Sequence, residues 1–149
     1  MIAPNIDTAS APTGAKFPTP QQLDELRARQ QRKVLEFLAP LYARRDALLS
    51  VVAQEFNISP GELTGGLSTY AALPARRVAV ALTIENLCPP FTREVIAGFF
   101  NISDGTLYRF AARVKQWEAA DADFAWRMGA LRPRVREAIK LATEDTSNG

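Results

Sequence analysis

Asn101-Ile102-Ser103-Asp104-Gly105-Thr106-Leu107-Tyr108-Arg109 has the pattern of a tight turn leading into a helix. An apolar residue sits in a turn, a serine able to cap a helix follows, small residues open the helix, and an arginine stands one turn in. From Asp104 onward Leu107, Phe110, Ala111 and Val114 recur at intervals of three and four. This spacing predicts a helix from Ser103 to about Trp117 with Gly105, Thr106, Arg109, Ala112, Arg113 and Gln116 facing outward. On the near side of the turn, Thr92 is placed to cap a short helix carrying Val95, Ile96, Phe99 and Phe100. Helix, tight turn, helix is the arrangement in which one helix braces on a DNA backbone while the first turns of the next enter the major groove.

Working outward toward the N-terminus, Cys88-Pro89-Pro90 ends a stretch opened by Pro74 that is apolar nearly all round, which marks a central helix. Ser59 and Glu62 form a capping pair for a short helix stopped by Gly65-Gly66, and Leu67 to Leu73 reads as a loop. Thr19-Pro20-Gln21-Gln22 opens a further helix. Leu23, Leu26, Gln30, Val34, Phe37, Leu38, Leu41 and Tyr42 line one face of it, and Arg27, Arg29, Arg32 and Lys33 occupy other positions. Pro40 is expected to kink or restart it, with a second helix running to Phe56. Toward the C-terminus, Asp121 to Met128 and Leu131 to about Glu144 read as two helices separated by Gly129. No strand or hairpin pattern is present, so the class is all-α: a helical domain with a central helix-turn-helix. The expected organisation is a disordered tail at 1–18, rich in proline, an amphipathic helix at 19–47, the helix-turn-helix domain with its C-terminal helices at 48–144, and a polar disordered tail at 145–149.

Composition narrows the function. A chain of 149 residues with 47% hydrophobic residues supports one ordinary core. No apolar run approaches the roughly 18 residues of a membrane span, and the N-terminus lacks the pattern of a signal peptide, so a cytoplasmic, nucleoid-associated protein is expected. One cysteine, Cys88, and no histidine leave disulfide, zinc-finger and histidine-based catalysis without their groups. No Gly-rich phosphate loop is present either, so neither a catalytic residue, a metal nor a cofactor is expected, and Cys88 reads as a small core residue. The net charge of +2 is small for a nucleic-acid binder, which makes placement matter more than sum.

The placement points at the second helix of the motif. Its free N-terminal amides around Ser103, Asp104 and Gly105 suit a phosphate, Thr106 and Arg109 suit base edges, and Arg113 with Lys115 falls where a helix passes the backbone. Asp104 repels phosphate but accepts from a cytosine amino group. Arg76 and Arg77 open the central helix, where positive charge opposes the dipole; a phosphate partner explains them, as does pairing with Glu85. Arg127, Arg132, Arg134, Arg136 and Lys140 read as a solvated face or a second phosphate stripe. Trp117, Trp126, Phe99 and Phe100 read as core, and Phe37 with Tyr42 as core or a helix-pairing seam.

Over half of the chain resembles the C-terminal domain of the bacterial replication initiator DnaA, including small alphaproteobacterial proteins that carry this domain without the ATPase. The similar stretches are Val51 to Leu63, Ala75 to Leu82, Ile96 to Phe100, Ser103 to Val114 and Asp121 to Phe124. The resemblance implies a double-stranded DNA-binding regulator, with Arg76 in the place of a phosphate-contacting arginine and Ser103 to Leu107 where the family's Asp-His-Thr-Thr-Val reads the major groove. Thr106 is retained there. Three positions depart from the family. Its basic minor-groove loop is Thr64 to Tyr70 here, without Arg or Lys; a basic position in the central helix is Ile84; and the reading histidine is absent. Two expectations follow: a non-enzymatic DNA-binding regulator of replication initiation or transcription, or a helical interaction module whose partner belongs to that machinery. The N-terminal helix is a candidate homodimer seam in either case.

Overall fold

Thr19 and Gln22 form the reciprocal cap their spacing requires: the Thr19 amide donates to Gln22 Oε1 at 2.9 Å and the Gln22 amide to Thr19 Oγ1 at 3.1 Å. In the computed structural model, which describes residues 17–65 and 70–148, the helix that follows, α1 (Pro20–Phe56), passes through Pro40 unbroken. The expected restart at Pro40 is therefore corrected. Proline removes one backbone hydrogen bond, but Leu41, Leu48, Leu49, Val52 and Ala53 are buried just beyond it, and tertiary packing rather than propensity stabilises most helices. The expected tail at 1–18, apart from Phe17 and Pro18, lies outside the described residues, as do loop residues 66–69.

The chain divides into two units, Met1–Ala39 and Pro40–Gly149, so residues 40–47, which are part of α1 as expected, fall in the larger unit together with the domain expected at 48–144. Among the described residues the first unit contains residues 20–39 of α1 as its only element. Leu23, Leu26, Val34, Leu35 and Phe37 are there 39–69% exposed.

The larger unit continues with α2 (Pro60–Thr64), a 3-10 turn (Tyr70–Ala72), α3 (Leu73–Leu87), α4 (Arg93–Phe99), α5 (Asp104–Ala120) and α6 (Ala122–Asn148), and no strand occurs among the described residues. The class is all-α, as expected. Helix α3 packs against α2, α4 and α5, which explains why its sequence is apolar nearly all round: Ala75, Val78, Ala79, Val80, Ala81, Leu82 and Leu87 are all buried. Its one buried hydroxyl, Thr83 Oγ1, donates to the Ala79 carbonyl at 2.7 Å. Phe91 and Phe99 pack edge-on at 5.0 Å with Tyr42 against both. Cys88 is half-buried beside them in sequence, and no helix among the described residues is long and apolar enough to cross a membrane.

Helix α6 runs through Gly129 and Pro133 to Asn148, so the two segments expected here are one helix, and that helix extends through residues 145–148, where a tail was expected. The Asp121 carboxylate starts it by accepting from the amides of Asp123 and Phe124 at 3.0 and 3.1 Å. Gly and Pro inside a helix cost about 4 kcal/mol together. Met128, Leu131 and Val135, on both sides of the two breakers, are at most 1% exposed. Their burial is worth roughly 5–9 kcal/mol, so continuity wins.

Ion pairs fasten the same helix. Arg127 and Arg134 each reach one oxygen of Glu55 at 2.7 Å, and Arg132 holds Glu118 at 2.6 Å and Glu85 at 3.0 Å. Three of the five basic residues read as a stripe are thus engaged by carboxylates of α1, α3 and α5, and Glu85 pairs with Arg132 instead of Arg76 or Arg77. Trp126, expected in the core, is 78% exposed, whereas Phe100 is fully buried.

The hydrogen bond from Arg127 holds Glu55 below the ordinary carboxylate range, and that from Arg132 does the same for Glu118. In the unfolded chain both carboxyls bind protons at higher pH than in the fold. Their contribution to stability is present above about pH 4.5 and drains away as pH falls through the lowered folded values. Glu55→Gln with Glu118→Gln is expected to lower the melting temperature at pH 7 and to flatten its decline below pH 4.5 in calorimetric scans; an unchanged acid slope would contradict the pairing.

Candidate nucleic-acid interface

The turn between α4 and α5 is held from three sides. Thr92 Oγ1 accepts from the Val95 amide at 3.3 Å, starting α4. Phe100 ends it in the core, and Asn101 then adopts φ 55°, the left-handed region that asparagine tolerates. The Asn101 side chain donates to the Thr64 carbonyl at 2.8 Å, tying the turn to the end of α2. The Ile102 amide closes back onto the Ala97 carbonyl at 3.1 Å.

Ser103 caps α5 as expected, accepting from the Thr106 amide at 3.1 Å. Its hydroxyl also lies 3.0 Å from Thr106 Oγ1, which accepts from Arg109 Nη2 at 2.8 Å. Ser103, Thr106 and Arg109 are thereby linked across the first turns of the helix, and the arginine is held in place with most of its donors unspent. Ser103, Asp104, Gly105, Arg109 and Arg113 are exposed, and Thr106 is half-buried. Asp104 sits at the positive end of the helix, where its charge is stabilising for the fold. Arg113 has no ion-pair partner among the described residues.

Three predicted site residues are placed differently. Arg76 is 5% exposed, its Nε donating to the Leu63 carbonyl at 3.0 Å and its Nη2 to the Phe100 carbonyl. It clamps the end of α2 to the end of α4 from inside and offers no guanidinium to an outside phosphate, which corrects its assignment as a phosphate contact. The two carbonyls explain how a charge can be buried there, while burial lowers its pKa from the ordinary arginine value. Arg77 is half-buried and stacks on Phe110 and Trp117 at 5.5 and 5.4 Å, with its Nε buried and unpaired. At about 100° per residue Phe110 and Trp117 lie within about 60° of Thr106 and Arg113 on α5, so Arg77 borders that flank. Lys115 lies about 160° from Arg113 around the same helix. It lines a groove on the other flank and does not belong with Arg109 and Arg113.

Arg93 was not singled out from sequence. It opens α4 and stacks over Tyr108 of α5 at 4.8 Å. The only sequence signal was a basic residue directly after a cap, where it opposes the helix dipole as Arg76 and Arg77 do. Among the described residues no three Asp, Glu or Cys side chains gather as a candidate metal site.

The chain matches no protein-family model, and no curated protein or solved structure matches it.

Proposed function

We propose that this chain is a non-enzymatic, double-stranded DNA-binding regulator of replication initiation or transcription, built like the DnaA C-terminal domain and acting at the nucleoid. In this reading α5 enters the major groove and α4 braces across the backbone. The observation that carries it is the capped start of α5, where Ser103, Asp104, Gly105, Thr106, Arg109 and Arg113 share an accessible surface and Arg109 is pre-set by Thr106. Arg109 has the fork geometry that reads guanine, Thr106 and Asp104 face neighbouring bases, and Arg113 with Arg77 reaches flanking phosphates. Selection from a random duplex pool at two salt concentrations tests it. Salt-sensitive retention with one enriched motif supports a specific regulator, and no retention at low salt overturns the reading.

The exposed apolar side chains of the first unit favour a second reading alongside it: a protein-interaction module whose N-terminal helix pairs with a second copy. Leu23, Leu26, Val34 and Phe37 share one face and, among the described residues, have no second element in their unit to cover them. Gln30 lies in the same stripe, where two carboxamides from paired copies satisfy each other. Sedimentation equilibrium of the full chain at tens of micromolar is expected to give a dimer mass, and Leu26→Glu with Val34→Glu a folded monomer whose melting temperature no longer depends on protein concentration. A monomer mass for the unaltered chain would remove the self-pairing, leaving that face to a partner from the replication or transcription machinery.

A further inference from the structure

A groove of about 510 Å³ runs along α5 on the flank away from Arg113, walled by α3 and by Arg132 of α6. Its accessible apolar surface comes from Ile84 of α3 with Ala111 and Ala112 of α5, and the buried Ala81, Leu107 and Val114 lie beneath them. That volume lies within the range of small-molecule sites, and an apolar floor of this kind gains free energy when a ligand replaces the water over it.

The ends of the groove differ in charge. At the far end Arg132 is spent: Glu118 takes two of its donors at 2.8 and 2.6 Å and Glu85 a third at 3.0 Å, so Lys115 there faces charges already matched. At the near end the Arg93 guanidinium stands 4.8 Å from the Tyr108 ring centre and hydrogen-bonds to the Tyr108 side chain, and no carboxylate pairs with it among the described residues. Tyr108 is 55% exposed and brings a phenolic hydroxyl to the same end. Tyr108 and Lys115 stand seven residues apart, about 10 Å along the helix, which is the length of apolar floor between the two ends. A guanidinium without a carboxylate partner, beside the hydroxyl of Tyr108 at one end of a short apolar trough, makes a receptor for a molecule with an anionic head and an apolar body.

We propose that this groove binds a small amphipathic anion, a medium-chain carboxylate in the simplest case, with its head on Arg93 and the Tyr108 hydroxyl and its chain along Ile84, Ala111 and Ala112. The same helix carries Thr106, Arg109 and Arg113 on its other flank, so an occupied groove is expected to change duplex affinity. That consequence rests on the DNA-binding reading; the binding itself does not.

Titration of the full chain with decanoate below its micelle concentration, without DNA and followed by amide chemical shifts, tests the site. Saturable one-site binding is expected, with shifts centred on Tyr108 to Val114 and affinity at least about tenfold above that for decanol. Arg93→Glu is expected to cost about tenfold or more, and Ala112→Trp, at the exposed mouth, to block the groove, both with the helical ellipticity of the folded chain retained. No saturation, equal binding of decanol, or binding indifferent to both substitutions overturns the proposal. Binding to duplex DNA is measured separately, and decanoate binding by a chain that ignores DNA upholds the groove while removing the DNA-binding reading.

Discussion

Arg109→Ala combined with Arg113→Ala is expected to lower affinity for the selected duplex by about 100-fold at physiological salt, as read by fluorescence anisotropy. A bidentate arginine contact to a base edge is worth about 1–3 kcal/mol, and each lost phosphate contact makes the salt dependence shallower by about 0.9 in log–log slope. A base contact and a phosphate contact together come to roughly 3 kcal/mol, or about two decades of affinity. Arg109 should account for the loss of sequence preference, because Thr106 already orients its guanidinium. Arg113 should account for the change in salt slope, because it is exposed and carries no ion pair among the described residues. Lys115→Ala is the internal control: it lies on the far flank of α5, and its effect should stay within about twofold. Unchanged affinity in the double variant, or a loss as large for Lys115→Ala, would place the contact surface elsewhere.

The second large effect is on folding. Arg76→Met should lower the melting temperature by roughly 8–15 °C, read by calorimetry or by the loss of helical ellipticity. Methionine fills much of the same volume but leaves the carbonyls of Leu63 and Phe100 without their donors. Each unsatisfied buried carbonyl costs about 1–3 kcal/mol, partly offset because a charge no longer has to be buried. A net loss of about 2–3 kcal/mol in a domain of this size corresponds to that shift. Because Phe100 immediately precedes the Asn101 turn, the variant should also lose duplex affinity at temperatures where it remains folded, a readout that a remote cavity would leave unmoved. A melting temperature within a degree or two of the parent would mean that the clamp contributes little.

These two arginines show how differently two positively charged residues translate from sequence. Arg109 is legible because capping and helical spacing are local: once Ser103 is a cap and Leu107 with Val114 faces inward, Arg109 must face outward. Arg76 follows equally simple spacing on α3 and was read as a surface contact. Its burial depends on α2 and α4 closing over it, and those elements are brought there by residues 13 and 24 positions away. Arg132 is a similar case. As one member of a basic run it looked solvated, and only the meeting of α3, α5 and α6 places Glu85 and Glu118 around it.

By itself the sequence determined the helical class, the starts at Thr19, Ser59, Thr92 and Ser103, and the outward face of α5. Each of these depends on hydrogen bonds or side-chain spacing within one or two turns of chain. Tertiary structure decided whether Pro40, Gly129 and Pro133 break their helices, which arginines are buried, paired or free, and that a groove lies behind α5. Those outcomes turn on long-range burial worth several kcal/mol, enough to override a local breaker and invisible until distant helices pack.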